Sequence, residues 1–172
     1  MVKRWLAENL DHQSSAAWIA LLRIWVGAVW LQAGWGKITK EGGWSAAGYL
    51  RGIAERDTVP FEFFRGLAES VFVPYAATFS FLVAWGEVLV GLALILGVVT
   101  NFAATMGILM NLSFLFAGTV SSNPWFVAIQ TVLILGGAGY AFGFDRYLVK
   151  YLSIPFILPR YELKPEPRRV GA

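Results

Sequence analysis

Four apolar runs of about the length needed to cross a bilayer constrain this chain more than any other feature. A transmembrane helix needs about 20 mostly apolar residues, and such runs fall at about 16–37, 75–99, 101–118 and 124–144 of the 172 residues. None shows a sustained alternating pattern of the kind a half-buried strand needs. Each is apolar around most of a helix. Charged residues are only 15% and hydrophobic ones 57%, against about 25% and 45–50% in soluble domains, so lipid is the expected solvent. Thr100-Asn101 and Ser121-Ser122-Asn123 leave very short connections, which force antiparallel neighbours. Pro124 suits a first helical turn. The expectation is an all-α, single-domain four-helix transmembrane bundle over 1–150, wound up-down-up-down.

The first connection, about 38–74, is too long for a simple turn. It holds two amphipathic pieces, Trp44 to Ala54 and Phe61 to Val73, the second bounded by Pro60 and Pro74. They read as interfacial helices, forming either a packed cap or a lid over a lipid-accessible site. The segment 151–172, with Pro155, Pro159, Pro165 and Pro167, reads as an extended or disordered tail. Basic residues cluster in the N-terminal arm and the tail. That bias favours both termini on the cytoplasmic side of a prokaryotic plasma membrane. The net charge of +3 suits a membrane surface and not nucleic acid. Arg23 in the first run and its late start argue against a cleaved signal peptide. With no cysteine and a single histidine, His12, no metal site or intrinsic redox motif is expected.

Charged side chains inside the hydrocarbon are costly and face partners. Arg23 and Glu87 are the two outstanding cases. If Glu87 lies level with Ala28, the axial offset to Arg23 is about 7–8 Å, which two long side chains can bridge, so an Arg23–Glu87 pair is expected. Arg23, Gly27, Gly34 and Lys37 fall on one narrow helical stripe, and Gly91 follows Glu87 by one turn. The glycines permit close helix approach or leave room for a ligand. This pattern fits a structural salt bridge, a site for a quinone-like headgroup, or proton handling by Glu87. Gln32, Asn111 and Gln130 are further intramembrane polar candidates. Trp30, one turn past Gly27, either fills the core or stacks on an aromatic headgroup. Gly139-x-x-x-Gly143 is compatible with a homo-oligomer, and Asp145 and Arg146 would cap or anchor the last span or pair with each other.

Three of these segments carry a family resemblance. Arg23-x3-Gly27-x6-Gly34-x2-Lys37 resembles the first helix of the DoxX-like family of small four-span membrane proteins. Trp85-Gly-Glu87-x3-Gly91-Leu-Ala-Leu-Ile-Leu-Gly97 is similar to its second-helix motif. Gly136-Gly-Ala-Gly139 through Gly143-Phe-Asp145 resembles its terminal glycine-rich segment, with Tyr140 where a basic residue is expected. The likeness covers about residues 20–148, and the long first loop looks closest to the DoxD branch, the small subunit of thiosulfate:quinone oxidoreductase. The resemblance implies a quinone-interacting subunit working with a second redox subunit, quinone being the cofactor. Two other readings stand beside it. A non-enzymatic anchor or assembly subunit for a redox partner would use Arg23 and Glu87 for folding alone. A small proton-coupled transporter would lose flux, and keep its fold, on Glu87→Gln.

Overall fold

The structure, a computed structural model, describes residues 12–57, 59–152, 154–155 and 157. The described residues form seven α-helices, one π-helical turn and no strand element. In chain order these are α1 (His12–Ile38), α2 (Ala47–Glu55), α3 (Glu62–Leu67), the π-helical turn (Ala68–Phe72), α4 (Ala76–Leu96), α5 (Thr100–Phe116), α6 (Asn123–Leu135) and α7 (Asp145–Leu148). Two helices are long and apolar enough to cross a membrane, α1 over Ala17–Ile38 and α4. Apolar helices α5 and α6 are shorter, at 17 and 13 residues. Trp18, Trp35, Phe81, Leu89, Leu109 and Val132 all lie on the exterior. Water tolerates such a surface poorly, and hydrocarbon covers it at no cost.

α1 packs along α4 and α5 along α6, with α4 and α5 in looser contact. The first pairing is set by glycine. A Cβ on Gly91 would fall 2.5 Å from the Leu31 nitrogen, and one on Gly34 2.7 Å from the Val88 nitrogen and 2.8 Å from the Ala84 carbonyl. One on Gly27 would meet the Gly91 carbonyl at 2.9 Å. These backbones touch, so the glycine stripes serve close approach, and no ligand space remains beside them. Val26, Trp30, Val90, Leu94, Ala103, Ala104, Leu133 and Ala138 form the buried core between the pairs.

The fourth apolar run does not stay helical to 144. α6 ends at Leu135, and Gly137 takes φ 61°. The Gly137 N–H then donates to the Ile134 carbonyl and the Ala138 N–H to the Leu133 carbonyl, which closes a Schellman motif. Past it, 136–144 is a chain of turns. Gly139 and Gly143 are buried within the protein; a Cβ on them would strike Asp145 and Arg23 respectively. Their spacing therefore serves contacts inside one chain, in place of a helix dimer face. α4 ends by the same motif at Gly97 (φ 67°), the Val98 N–H donating to Ala93 and the Gly97 N–H to Leu94.

The first connection packs onto the bundle as a cap. α2, α3 and the π-helical turn share a second core of Ala46, Leu50, Ile53, Phe64 and Ala68 with Ala117 at the end of α5. Edge-on ring contacts join it to the bundle: Phe72 to Phe79 at 4.7 Å and Phe61 to Phe116 at 5.2 Å. The expectation for the tail beyond Ile157 lies outside the described residues.

Candidate functional site

Two charged centres sit at different levels of α1, Arg23 near its middle and Lys37 in its last turn. Arg23 and Lys37 are separated by about 21 Å of helix rise, and each finds a partner at its own level.

The expected Arg23–Glu87 pair does not form. Gly34 packs against Val88 and Ala84, so Glu87 is level with the neighbourhood of Gly34 and not with Ala28. That register shift of about six residues carries the carboxylate some 9 Å up α1, out of reach of Arg23 and next to Lys37. Lys37 Nζ donates to Glu87 Oε2 at 2.5 Å. The Glu87 side chain is 4% exposed and that of Lys37 21%. Lys37 Nζ also lies 5.3 Å from the centre of the Trp44 ring, within cation–π range.

Arg23, fully buried, instead closes the opposite end of the bundle. Its Nη1 donates to the carbonyls of Ala138 at 2.6 Å and Ala141 at 3.2 Å. Those acceptors are free because α6 has ended before them. Asp145, also buried, supplies the neighbouring negative charge. Its Oδ1 accepts from the Val99 N–H at 2.6 Å and its Oδ2 from the Thr100 N–H at 2.9 Å. Asp145 thus caps α5 from a distant part of the chain and holds Val99 at φ 44°, an unfavourable angle for a β-branched residue. Arg146 does not pair with Asp145; it donates to the Tyr147 hydroxyl and stacks on that ring.

The secondary candidates divide. Gln130 and Asn111 are buried in the core between α5 and α6. With its amide oriented to satisfy both ends, Gln130 accepts from Trp30 Nε1 at 3.0 Å and donates to the Phe126 carbonyl at 3.2 Å. Asn111 Nδ2 donates to the Gly107 carbonyl at 2.9 Å. Trp30 is thus a core residue tied to an amide. Gln32 is exposed and belongs to neither centre.

A concave feature lies at the Lys37 end. A cavity of about 470 Å³ opens beneath the cap, lined by Lys37, Trp44, Tyr49, Phe64, Phe72 and Phe79 among others. That is the volume of a small-molecule site, with apolar walls and a few polar groups. The Tyr49 hydroxyl is 2.9 Å from Thr119 Oγ1, and among the described residues Lys37 is the one charged residue on the wall. Of the expected site, Lys37 and Glu87 are brought together here. Gly27, Gly34 and Gly91 are spent on packing, and Arg23 stands at the far end. Sequence reasoning missed Trp44, Tyr49, Phe72 and Phe79 as wall residues. The signal for Trp44, Tyr49 and Phe72 was the aromatic content of the first connection, whereas Phe79 lies within α4, in the second apolar run.

The DoxX family model matches residues 18–120, from the first turns of the apolar part of α1 to just past α5. The match takes in Arg23, Lys37, Glu87 and the cap, and leaves out Gln130 and the glycine-rich segment before Asp145. No curated protein and no solved structure matches the chain. Together with the two apolar helices, this match makes it a membrane protein, and the chain belongs to the DoxX family.

Proposed function

We propose that this protein is the quinone-interacting subunit of a membrane oxidoreductase, with the cavity under the cap as its headgroup site. The observation that carries the reading is the part-buried Lys37–Glu87 ion pair, its lysine on the wall of a mostly aromatic and aliphatic cavity. In this reading the four apolar runs cross the bilayer up-down-up-down, the last as α6 together with the turns of 136–144, with both termini cytoplasmic and the cap outside. A bound quinone would take up two electrons and two protons. Lys37 Nζ, held by Glu87, would offer the quinone a hydrogen bond, and Trp44 and Phe72 on the cavity wall would help keep water out. The chain carries no cysteine and one histidine, so the electrons come from a second redox subunit. Thiosulfate is the donor that the DoxD-like long first connection suggests.

The test is to purify the protein from native membranes with its partners and assay bound quinone and thiosulfate-dependent quinone reduction. Quinone should co-purify, and Lys37→Met should weaken its binding about tenfold, the worth of one charge-assisted hydrogen bond. Preparations free of quinone, from membranes that reduce none with thiosulfate, would overturn the reading. The competing reading is a non-enzymatic anchor. It is favoured by how completely Gly27, Gly34 and Gly91 are consumed in helix packing, and it predicts a co-purifying partner indifferent to Lys37→Met.

A further inference from the structure

The two helix pairs leave an opening between them. α4 and α5 are joined by a three-residue turn, yet a groove of about 600 Å³ runs along their outer side. Leu82, Leu89, Phe102 and Leu109 line it and stand exposed, so it is open sideways toward the surrounding hydrocarbon. Its polar wall residue, Ser113, satisfies its own hydroxyl on the Leu109 carbonyl at 2.9 Å. Phe79, Val83, Met110 and Ser113 line both this groove and the cavity under the cap. The two spaces therefore adjoin across those four side chains.

Gly86 marks the groove as a space that the fold keeps. Mid-helix glycine is unfavourable relative to alanine, and Gly34 and Gly91 are explained by backbone contact. Gly86 has no such contact. A Cβ there would meet only the end of the Met110 side chain, at 3.6 Å, an ordinary distance to a flexible thioether. The missing side chain widens the groove where it approaches the cavity.

We infer that the α4–α5 groove is the tail channel of the headgroup site. A single-tailed amphiphile enters sideways from the bilayer, its ring seated under the cap beside Lys37 and its isoprenoid chain laid along α4 and α5. The inference rests on the quinone reading and adds the route of entry and the substrate class, a lipid-soluble quinone with a long linear tail. The chemical logic is a cavity with one cation on its wall beside a groove with apolar side chains along its open side.

The experiment measures binding of two benzoquinones with the same ring, one bearing a single isoprene unit and one a decyl chain, to the full-length protein in nanodiscs. Wild type should favour the decyl probe. Gly86→Leu should erase that preference with a loss of about tenfold for the decyl probe, whereas Gly86→Ala should retain it. Partition into the disc is common to all variants and cancels. Should Gly86→Leu fail to fold, Leu109→Trp fills the same groove from the α5 wall and must give the same loss. Equal affinity of the two probes for wild type, or a decyl preference that survives both variants, overturns the tail channel and leaves the headgroup site standing. Failure of both probes to bind removes the headgroup site and the channel together. Phosphatidylglycerol that displaces the decyl probe but not the short one identifies an ordinary lipid site and overturns the channel.

Discussion

Removing the Glu87 carboxylate leaves the Lys37 ammonium without its counter-ion in a mostly buried position. Glu87→Ala should therefore destabilise by about 3 kcal/mol, the low end for breaking a buried pair, in unfolding titrations in detergent. Glu87→Gln keeps an acceptor for Lys37 and should cost clearly less. A double-mutant cycle distinguishes this partner from Arg23, the one expected from the axial offset along the sequence. Lys37→Met with Glu87→Gln should show a coupling of about 1 kcal/mol or more, whereas Arg23→Leu with Glu87→Ala should be additive within about 0.5 kcal/mol. Coupling between Arg23 and Glu87 would contradict the register of α1 on α4. Both acidic and basic candidates were legible in the sequence, because a charge in an apolar run stands out. Their pairing was not, because an axial shift of less than two turns exchanges Arg23 for Lys37.

At the scale of elements, the same glycine can be a contact or a luxury. Gly91→Ala would drive a Cβ into the Leu31 backbone, and a cost of about 2 kcal/mol is expected from overpacking. Gly36 lies on the same helix as Gly34 with nothing within 4 Å. Gly36→Ala should be neutral or stabilise by up to about 1 kcal/mol, and equal losses for the two variants would sink the assignment. The N-terminus of α5 depends on Asp145, which accepts two of its backbone N–H groups. Asp145→Ala should cost about 2 kcal/mol and speed amide exchange at Val99 and Thr100, with Asp145→Asn intermediate. Unchanged exchange there would show the cap to be dispensable. The sequence reading took 124–144 as one helix because Ala138, Tyr140, Ala141 and Phe142 continue the apolar run. The helix stops at Leu135 because Gly137 adopts a left-handed angle, and the carbonyls so released are the ones that hold Arg23.

For the whole molecule, the arrangement makes a direct topological prediction. The cap and the Arg23–Asp145 cluster lie at opposite ends of the bundle, so the first connection and the residues after α7 should face opposite sides of the membrane. The chain has no cysteine, so single-site labelling needs no prior substitution. Gly42→Cys should react with an impermeant thiol reagent in intact cells, and Tyr151→Cys only after permeabilisation. Labelling of both from one side would refute the four-span topology.

Composition and apolar run length were enough to establish helices, a lipid-facing exterior and the existence of charged residues that must turn inward, because each of these follows from the cost of exposing one group to one solvent. An amphipathic first connection was also legible, since its helical pieces show in local spacing. Which cation meets Glu87, where the fourth apolar run ceases to be helical, and whether the glycines enclose a ligand or a neighbouring backbone were decided in three dimensions. Those outcomes depend on the axial register of two helices and on a few left-handed backbone angles. Register is a collective property of every contact along a pair, and no single residue encodes it.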